Sequence, residues 1–139
     1  MNTERKQRKQ QLEEAYGTDE SIGLDEEGLL PDGESACVCT NVAFYIAKQV
    51  KGAKIFGFAE WDNPSSAISE DYDGHDFAMV DGFIIDPWVS QTENYSKKSV
   101  FDTMDQDDSK EIKRIYGNRK KWKGLKELNK ELKEFHKNL

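Results

Sequence analysis

The sequence has few cysteines and no long apolar run. It contains two cysteines, Cys37 and Cys39, among 139 residues. Because a single residue separates them, a disulfide between them would be strained, which excludes a disulfide-rich secreted scaffold. No segment approaches the ~18 apolar residues of a membrane-spanning helix. Residues 1–17 also lack the apolar stretch of a signal peptide, so we expect a cytoplasmic protein.

Basic residues are scarce in residues 1–108, which carry 9 Lys or Arg against 23 Asp or Glu. Residues 109–139 reverse this balance with 11 basic and 4 acidic residues, and the whole chain has a net charge of −7. Nucleic-acid binders usually present a basic folded surface, so we expect no nucleic-acid partner. The basic tail is interpreted as the solvated face of an amphipathic helix.

The length and composition predict a single domain over residues 1–139. Hydrophobic residues make up 36% of the chain, enough for a compact core, and there is no internal repeat. We divide the chain into a polar N-terminal helix with an acidic loop (1–36), a core of catalytic type (37–102) and C-terminal helices (103–139).

Hydrophobic periodicity and turn residues predict an α+β fold with a small antiparallel sheet. The predicted elements are a helix over 1–16, an acidic loop over 17–36, a helix over 40–50, a strand over 53–59, a loop over 60–74, a hairpin over 75–88, a strand over 100–102, and helices over 107–116 and 122–139.

The strongest local signal is the hairpin HDFAMV-DG-FIIDPW. Asp81-Gly82 is a favoured two-residue turn and pairs Val80 with Phe83, which sets the register of both strands. That register places His75 opposite Trp88 and diagonal to Asp86. Side chains alternate along a strand, so one face is shared by His75, Phe77, Met79, Ile84, Asp86 and Trp88.

Cys39 immediately precedes the predicted helix over 40–50. The positive end of the helix dipole favours a thiolate at such a position. Ala43, Ile46 and Val50 share the helix face of Cys39, and we expect this face to pack on the His75 face of the hairpin. One contact would then bring together a thiol, an imidazole and a carboxylate, the groups of a nucleophile–base–orienter triad.

Other interpretations of these residues stay open. Cys37 is a rival nucleophile, and either thiol taken alone is more often a small buried residue. Asp76 is a rival orienting acid, although alternation sends it to the opposite face from His75. Asp86 could be only a turn residue before Pro87. A zinc site made by both cysteines, His75 and an aspartate is the second chemical interpretation, but the spacing of the cysteines is unfavourable.

Two stretches, SACVCTNVAFYIAKQV and GHDFAMVDGFIIDPWV, resemble the papain-like cysteine hydrolase superfamily over about residues 35–90. This group includes peptidases, transglutaminase-like enzymes, and toxins or effectors that deamidate glutamine. The resemblance implies a minimal papain-like fold without a cofactor or metal. It also implies that Cys39 is the nucleophile, His75 the general base and Asp86 the orienting acid.

The chain departs from the family where residues 31–36 contain no glutamine to bind the oxyanion. The backbone N–H of Cys39 and the side chain of Asn41 are the expected replacements. Trp61 and Trp88 are candidate substrate-binding residues. The acidic loops before Cys37 and before His75 are expected to flank the cleft and to disfavour acidic substrates.

Two functions remain in competition. The first is a small cysteine hydrolase acting on a protein or peptide amide as a peptidase, an isopeptidase or a glutamine deamidase, with an effector or toxin role inside a host cell by analogy. The second is a protein-binding module without enzymatic activity, in which the triad is structural. That module would use the apolar seam of the last helix, formed by Trp122, Leu125, Leu128, Leu132, Phe135 and Leu139.

Overall fold

A computed structural model describes residues 2–92 and 94–139 of the chain. Helices and strands alternate irregularly along the sequence. They are α1 (Thr3–Tyr16), α2 (Cys39–Gln49), β1 (Lys54–Ala59), β2 (Gly74–Val80), β3 (Phe83–Ile85), β4 (Val100–Asp102), α3 (Gln106–Tyr116), β5 (Lys123–Gly124) and α4 (Lys126–Lys137). Short 3-10 turns span Ile68–Glu70 and Arg119–Lys121, and a π-helical turn spans Trp88–Thr92.

The five strands form one antiparallel sheet in the order β4-β3-β2-β1-β5, so the predicted α+β class is confirmed. The hairpin register is also confirmed, because Val80 pairs with Phe83. Asp81 and Gly82 both adopt positive φ, at 50° and 82°, as a type I′ turn requires. Pairing ends at Ile85, so the predicted opposition of His75 and Trp88 is not part of the sheet.

The sheet is covered on both faces. On one face α2 lies over β2, where the Thr40 hydroxyl donates to Asp76 Oδ2 at 2.6 Å. On the other face the rings of Tyr116 and Trp122 pack on Phe77, at centroid distances of 4.9 and 5.2 Å. Adjacent residues of β2 point to opposite faces, so these two contacts assign α2 to the Asp76 face.

The prediction that the Cys39 helix packs on the His75 face is therefore wrong. Phe77 and Ala78 lie on opposite faces of β2 and both are fully buried. When a strand is buried on both sides, its alternation of side chains cannot indicate which face a given helix covers.

Helix α1 is attached to the far end of the sheet by Arg5. The Arg5 guanidinium lies 4.1 Å from the centroid of the Phe83 ring. It also binds both carboxylate oxygens of Asp102 on β4, at 3.0 and 2.6 Å. The carboxylate of Asp102 is fully buried, so this bidentate pair is shielded from solvent and anchors the N-terminal helix firmly.

The last helix begins four residues later than predicted, at Lys126 instead of residue 122. Residues before it pair as β5 with Phe56 and Gly57 of β1. The Trp122 indole donates to the carbonyl of Tyr116 at 2.9 Å, and this contact holds the segment away from a helical path. No helix in the two described ranges is long and apolar enough to cross a membrane.

Candidate active site

His75 and Asp86 form a buried pair at the end of the β2–β3 hairpin. His75 Nε2 and Asp86 Oδ2 lie 2.7 Å apart, and both residues are 2% exposed. Asp86 directly follows β3, which ends at Ile85, and its backbone N–H donates to the Ser99 carbonyl. The diagonal proximity expected from the register is thus present, although Asp86 is not a strand residue.

Tyr116 is a third member of this cluster that the sequence did not reveal. Its hydroxyl donates to Asp86 Oδ2 at 2.7 Å, so the same oxygen that contacts His75 has a second partner. Burial and the negative charge of Asp86 raise the pKa of Tyr116 well above its ordinary value. Tyr116 therefore stays a neutral donor and holds the carboxylate in place.

Cys39 lies at the N-terminus of α2, beside the first half of β2. Its Sγ accepts a hydrogen bond from the backbone N–H of Asp76 at 3.5 Å. In an antiparallel strand alternate residues direct their N–H groups to the same neighbour. The N–H of Asp76 therefore points to the same side of β2 as that of Ala78, which pairs with Ile85 of β3. However, β3 ends at Ile85, so it offers no partner to Asp76. The early end of β3 thus leaves one amide of β2 free to bind the thiol.

The two ring nitrogens of His75 have different surroundings. Nε2 contacts Asp86, whereas Nδ1 is buried and has no hydrogen-bond partner among the described residues. An unsatisfied buried polar atom costs about 1–3 kcal/mol and calls for a functional explanation. Cys39 is close enough to contribute to raising the pKa of the ring.

The charge state of His75 follows from these neighbours. Burial lowers the pKa of the imidazole, but charge interaction and hydrogen bonding with Asp86, followed by the contributions of Cys39, outweigh it and raise the pKa from 6.5 to about 9. At neutral pH the ring is therefore an imidazolium, and both of its nitrogens carry a proton.

This raised pKa predicts that the protein loses stability as the pH rises from about 6.5 to about 9. The folded state holds the His75 proton more tightly than the unfolded chain, so the stabilisation is complete below about pH 6.5 and is lost as the pH passes the folded-state pKa. We expect a loss of about 3 kcal/mol in the free energy of unfolding.

Urea unfolding at about pH 6 and about pH 9 measures this loss. The His75→Gln variant should lack it, whereas His136→Gln, which removes the other histidine, should keep it. An equal pH dependence in the wild type and in His75→Gln would contradict the assignment.

Cys37 and Trp88 lie next to each other just before the N-terminus of α2. Cys37 is exposed, and its carbonyl accepts a hydrogen bond from the Trp88 indole at 3.1 Å. Trp88 is itself 2% exposed and its ring lies 4.7 Å from that of His75. The Trp88 ring is therefore enclosed between the Cys37 segment and His75, and it is not among the residues that line the groove beside Cys39.

The two other predicted substrate-binding residues lie outside the immediate surroundings of the thiol. The Asn41 side chain donates to the Ser35 carbonyl at 3.1 Å and so supports the loop before α2. Trp61 is 75% exposed, in the turn that follows β1. Neither residue lines the groove beside Cys39.

An open groove of about 500 Å³ runs past Cys39 and His75. Its walls come from the start of α2, the ends of β1 and β2, and the β5 segment. The lining residues are Cys39, Thr40, Gly57, Phe58, Ala59, Asp62, Asp73, Gly74, His75, Asp76, Lys123 and Leu125. Residues 17–36 do not line this groove, whereas Asp62 and Asp73 of the acidic loop before His75 do.

Within residues 2–92 and 94–139, no group of three or more His, Cys, Asp and Glu side chains is arranged to hold a metal ion. Cys39, His75 and Asp86 instead lie in a row in space, with the imidazole between the thiol and the carboxylate. This order is the one required for a nucleophile, a base and an orienting acid.

Comparison with known proteins gives no family assignment. No protein-family model, no characterised protein and no solved structure matches this chain significantly.

Proposed function

We propose that the protein is a small cysteine hydrolase with a minimal papain-like α+β fold, acting on a protein or peptide amide. Cys39 is the nucleophile, His75 the acid and base, and Asp86 the orienting acid. The main support is the buried His75 ring, which contacts Asp86 through Nε2 and presents an unpartnered Nδ1 in the neighbourhood of Cys39.

The reaction follows from the charges of this pair. The imidazolium of His75 favours the thiolate of Cys39, which attacks the amide carbonyl carbon and forms a tetrahedral intermediate. His75 donates its Nδ1 proton to the leaving nitrogen as the C–N bond breaks, and a thioester remains. His75 then removes a proton from water, whose oxygen attacks the thioester and releases the carboxylic acid and Cys39.

The backbone at the start of α2 supplies donors for the oxyanion. The first N–H groups of a helix have no partner within the helix, and here these belong to Cys39 and Thr40. We assign the oxyanion to this helix end instead of Asn41, because the Asn41 amide is already bound to Ser35. The Asp76 N–H has a separate function and stabilises the thiolate before attack.

The alternative of a binding module has less support. The seam of α4 that would contact a partner packs against the protein itself through Leu132, which is 2% exposed. Asn129 also donates to and accepts from the backbone of Ile55 in β1. Among the described residues of this seam, the large hydrophobic side chains that remain exposed are those of Phe135 and Leu139.

Alkylation by iodoacetamide as a function of pH tests the proposal without knowledge of the substrate. At about pH 6 an ordinary thiol is almost entirely protonated, so we expect Cys39 to react about a hundredfold faster than Cys37. The rates are measured by mass spectrometry on the Cys37→Ser and Cys39→Ser variants, each of which retains one thiol. The same pH dependence for both thiols would refute a thiolate–imidazolium pair.

A further inference from the structure

We propose that the groove selects amides that carry a cationic group beside the reacting carbonyl, and that Asp76 and Asp73 bind that cation. The inference rests on the proposed function, because it concerns what approaches Cys39. It adds the substrate class, namely a peptide with a lysine-like or arginine-like side chain, or an amine, next to the amide.

The charges that line the groove do not cancel. Three carboxylates, those of Asp62, Asp73 and Asp76, line the groove together with two cations, the Lys123 ammonium and the His75 imidazolium. Asp62 is neutralised by ion pairs with Lys121 and Lys123, at 3.2 and 3.4 Å. Asp73 and Asp76 have no ion pair among the described residues, so these two carboxylates are available to a ligand.

The Asp76 carboxylate is held close to the reacting sulfur of Cys39. Its Oδ2 accepts the Thr40 hydroxyl at 2.6 Å, and its own backbone N–H binds Cys39 Sγ at 3.5 Å. The carboxylate and the reacting sulfur are thus fixed by the same residue. The second oxygen, Oδ1, lies over Gly57 of the neighbouring strand, where any Cβ would collide with it. Glycine at this position therefore leaves room for the Asp76 carboxylate beside β1.

A second glycine lines the same groove. Gly74, at the start of β2, also lines the groove, and a Cβ on it would collide with the carbonyl of Phe58. Asp73 precedes it and is exposed at the rim. The two carboxylates therefore lie on either side of Gly74 and His75 at the start of β2, and both line the groove.

The His75 atom that supports the proposed function also bears on ligand binding in this groove. The imidazole lines the groove and is 2% exposed, yet its Nδ1 has no hydrogen-bond partner among the described residues. In the proposed reaction this donor acts on the leaving nitrogen of a substrate bound in the groove, which explains why it has no partner within the protein. A cation bound at Asp76 would lie beside that donor without competing for it, because a cation binds carboxylates and not an imidazolium.

Three methanethiosulfonates of similar size test the charge preference directly. In each reaction the thiolate attacks the sulfenyl sulfur, a mixed disulfide forms and methanesulfinate leaves. The reagents are the cationic trimethylammonioethyl, the anionic sulfonatoethyl and the neutral propyl derivatives. Their rates are measured on Cys39 in the Cys37→Ser variant and on Cys37 in the Cys39→Ser variant.

The cationic-to-anionic rate ratio is expected to be about tenfold higher at Cys39 than at Cys37 in about 10 mM salt. Asp76→Asn, which keeps an oxygen for the Thr40 hydroxyl, and Asp73→Asn should each lower this ratio severalfold. Asp19→Asn removes the same charge from an exposed residue outside the groove and should leave the ratio unchanged. About 1 M salt should bring the ratio at Cys39 close to that at Cys37.

A ratio at Cys39 equal to that at Cys37 overturns the inference, as does a ratio that neither aspartate variant changes. The rate ratio is independent of the fraction of thiolate, because that fraction multiplies both rates. Failure of the proposed function is seen separately, as a neutral-reagent rate at Cys39 with the pH dependence of an ordinary thiol.

Discussion

Replacement of Cys39 by alanine is expected to lower amide hydrolysis by about 10⁴-fold, whereas Cys37→Ala should stay within about twofold of the wild type. Cys39 is half-buried beside an imidazole and accepts the Asp76 N–H, while Cys37 is exposed and outside the groove. Alanine at position 39 removes the group that forms the thioester, so the imidazole has nothing to activate.

The readout is mass spectrometry of a peptide mixture before and after incubation with each variant. New termini report peptidase or isopeptidase activity, and conversion of glutamine to glutamate reports deamidation. Thermal midpoints of both variants serve as the control for folding. Equal activity of Cys39→Ala and the wild type, at any substrate that is turned over, would exclude Cys39 as the nucleophile.

Replacement of Asp86 by alanine is expected to lower the free energy of unfolding by about 4 kcal/mol, or about 12 °C in Tm for a chain of this length. The substitution removes the common acceptor of two buried donors, His75 Nε2 and the Tyr116 hydroxyl, and leaves both without a partner. Hydrolysis should be lost as well, because the imidazole is no longer held in orientation.

Asp86→Asn separates charge from hydrogen bonding in this cluster. The asparagine oxygen still accepts hydrogen bonds, so we expect a smaller loss of stability than in Asp86→Ala. The negative charge is gone, so the fall in stability between about pH 6.5 and about pH 9 should disappear. Urea unfolding of both variants at two pH values measures these effects. A change below about 1 kcal/mol in Asp86→Ala would contradict the proposed role of the carboxylate.

Local sequence signals predicted the part of the molecule that carries the site. The Asp81-Gly82 turn determined the register of the hairpin, and that register brought His75 and Asp86 within reach of each other. The position of Cys39 at the start of a helix also followed from periodicity, and α2 begins at this residue. These signals are short-range, so a single sequence is sufficient to read them.

Long-range contacts were not predictable in the same way. Tyr116 binds Asp86 across 30 residues, and nothing in its neighbourhood distinguishes it from a core tyrosine at the end of a helix. The face covered by α2 was predicted wrongly because β2 is buried on both sides. Asp76 was correctly assigned to the face opposite His75, but its contact with Thr40 and its place in the groove depend on the tertiary packing of α2.

The attachment of α1 has a consequence for the kinetics of folding. The contact between Arg5 and Asp102 joins residues 97 positions apart, whereas the Asp81-Gly82 turn joins neighbours in the hairpin. Closing a long loop costs more chain entropy than closing a tight turn, so long-range contacts form late and local ones early. The hairpin that carries His75 is therefore expected to form early, because its contacts join neighbours in the sequence. We therefore expect that weakening the Arg5 attachment raises the unfolding rate more than it slows folding.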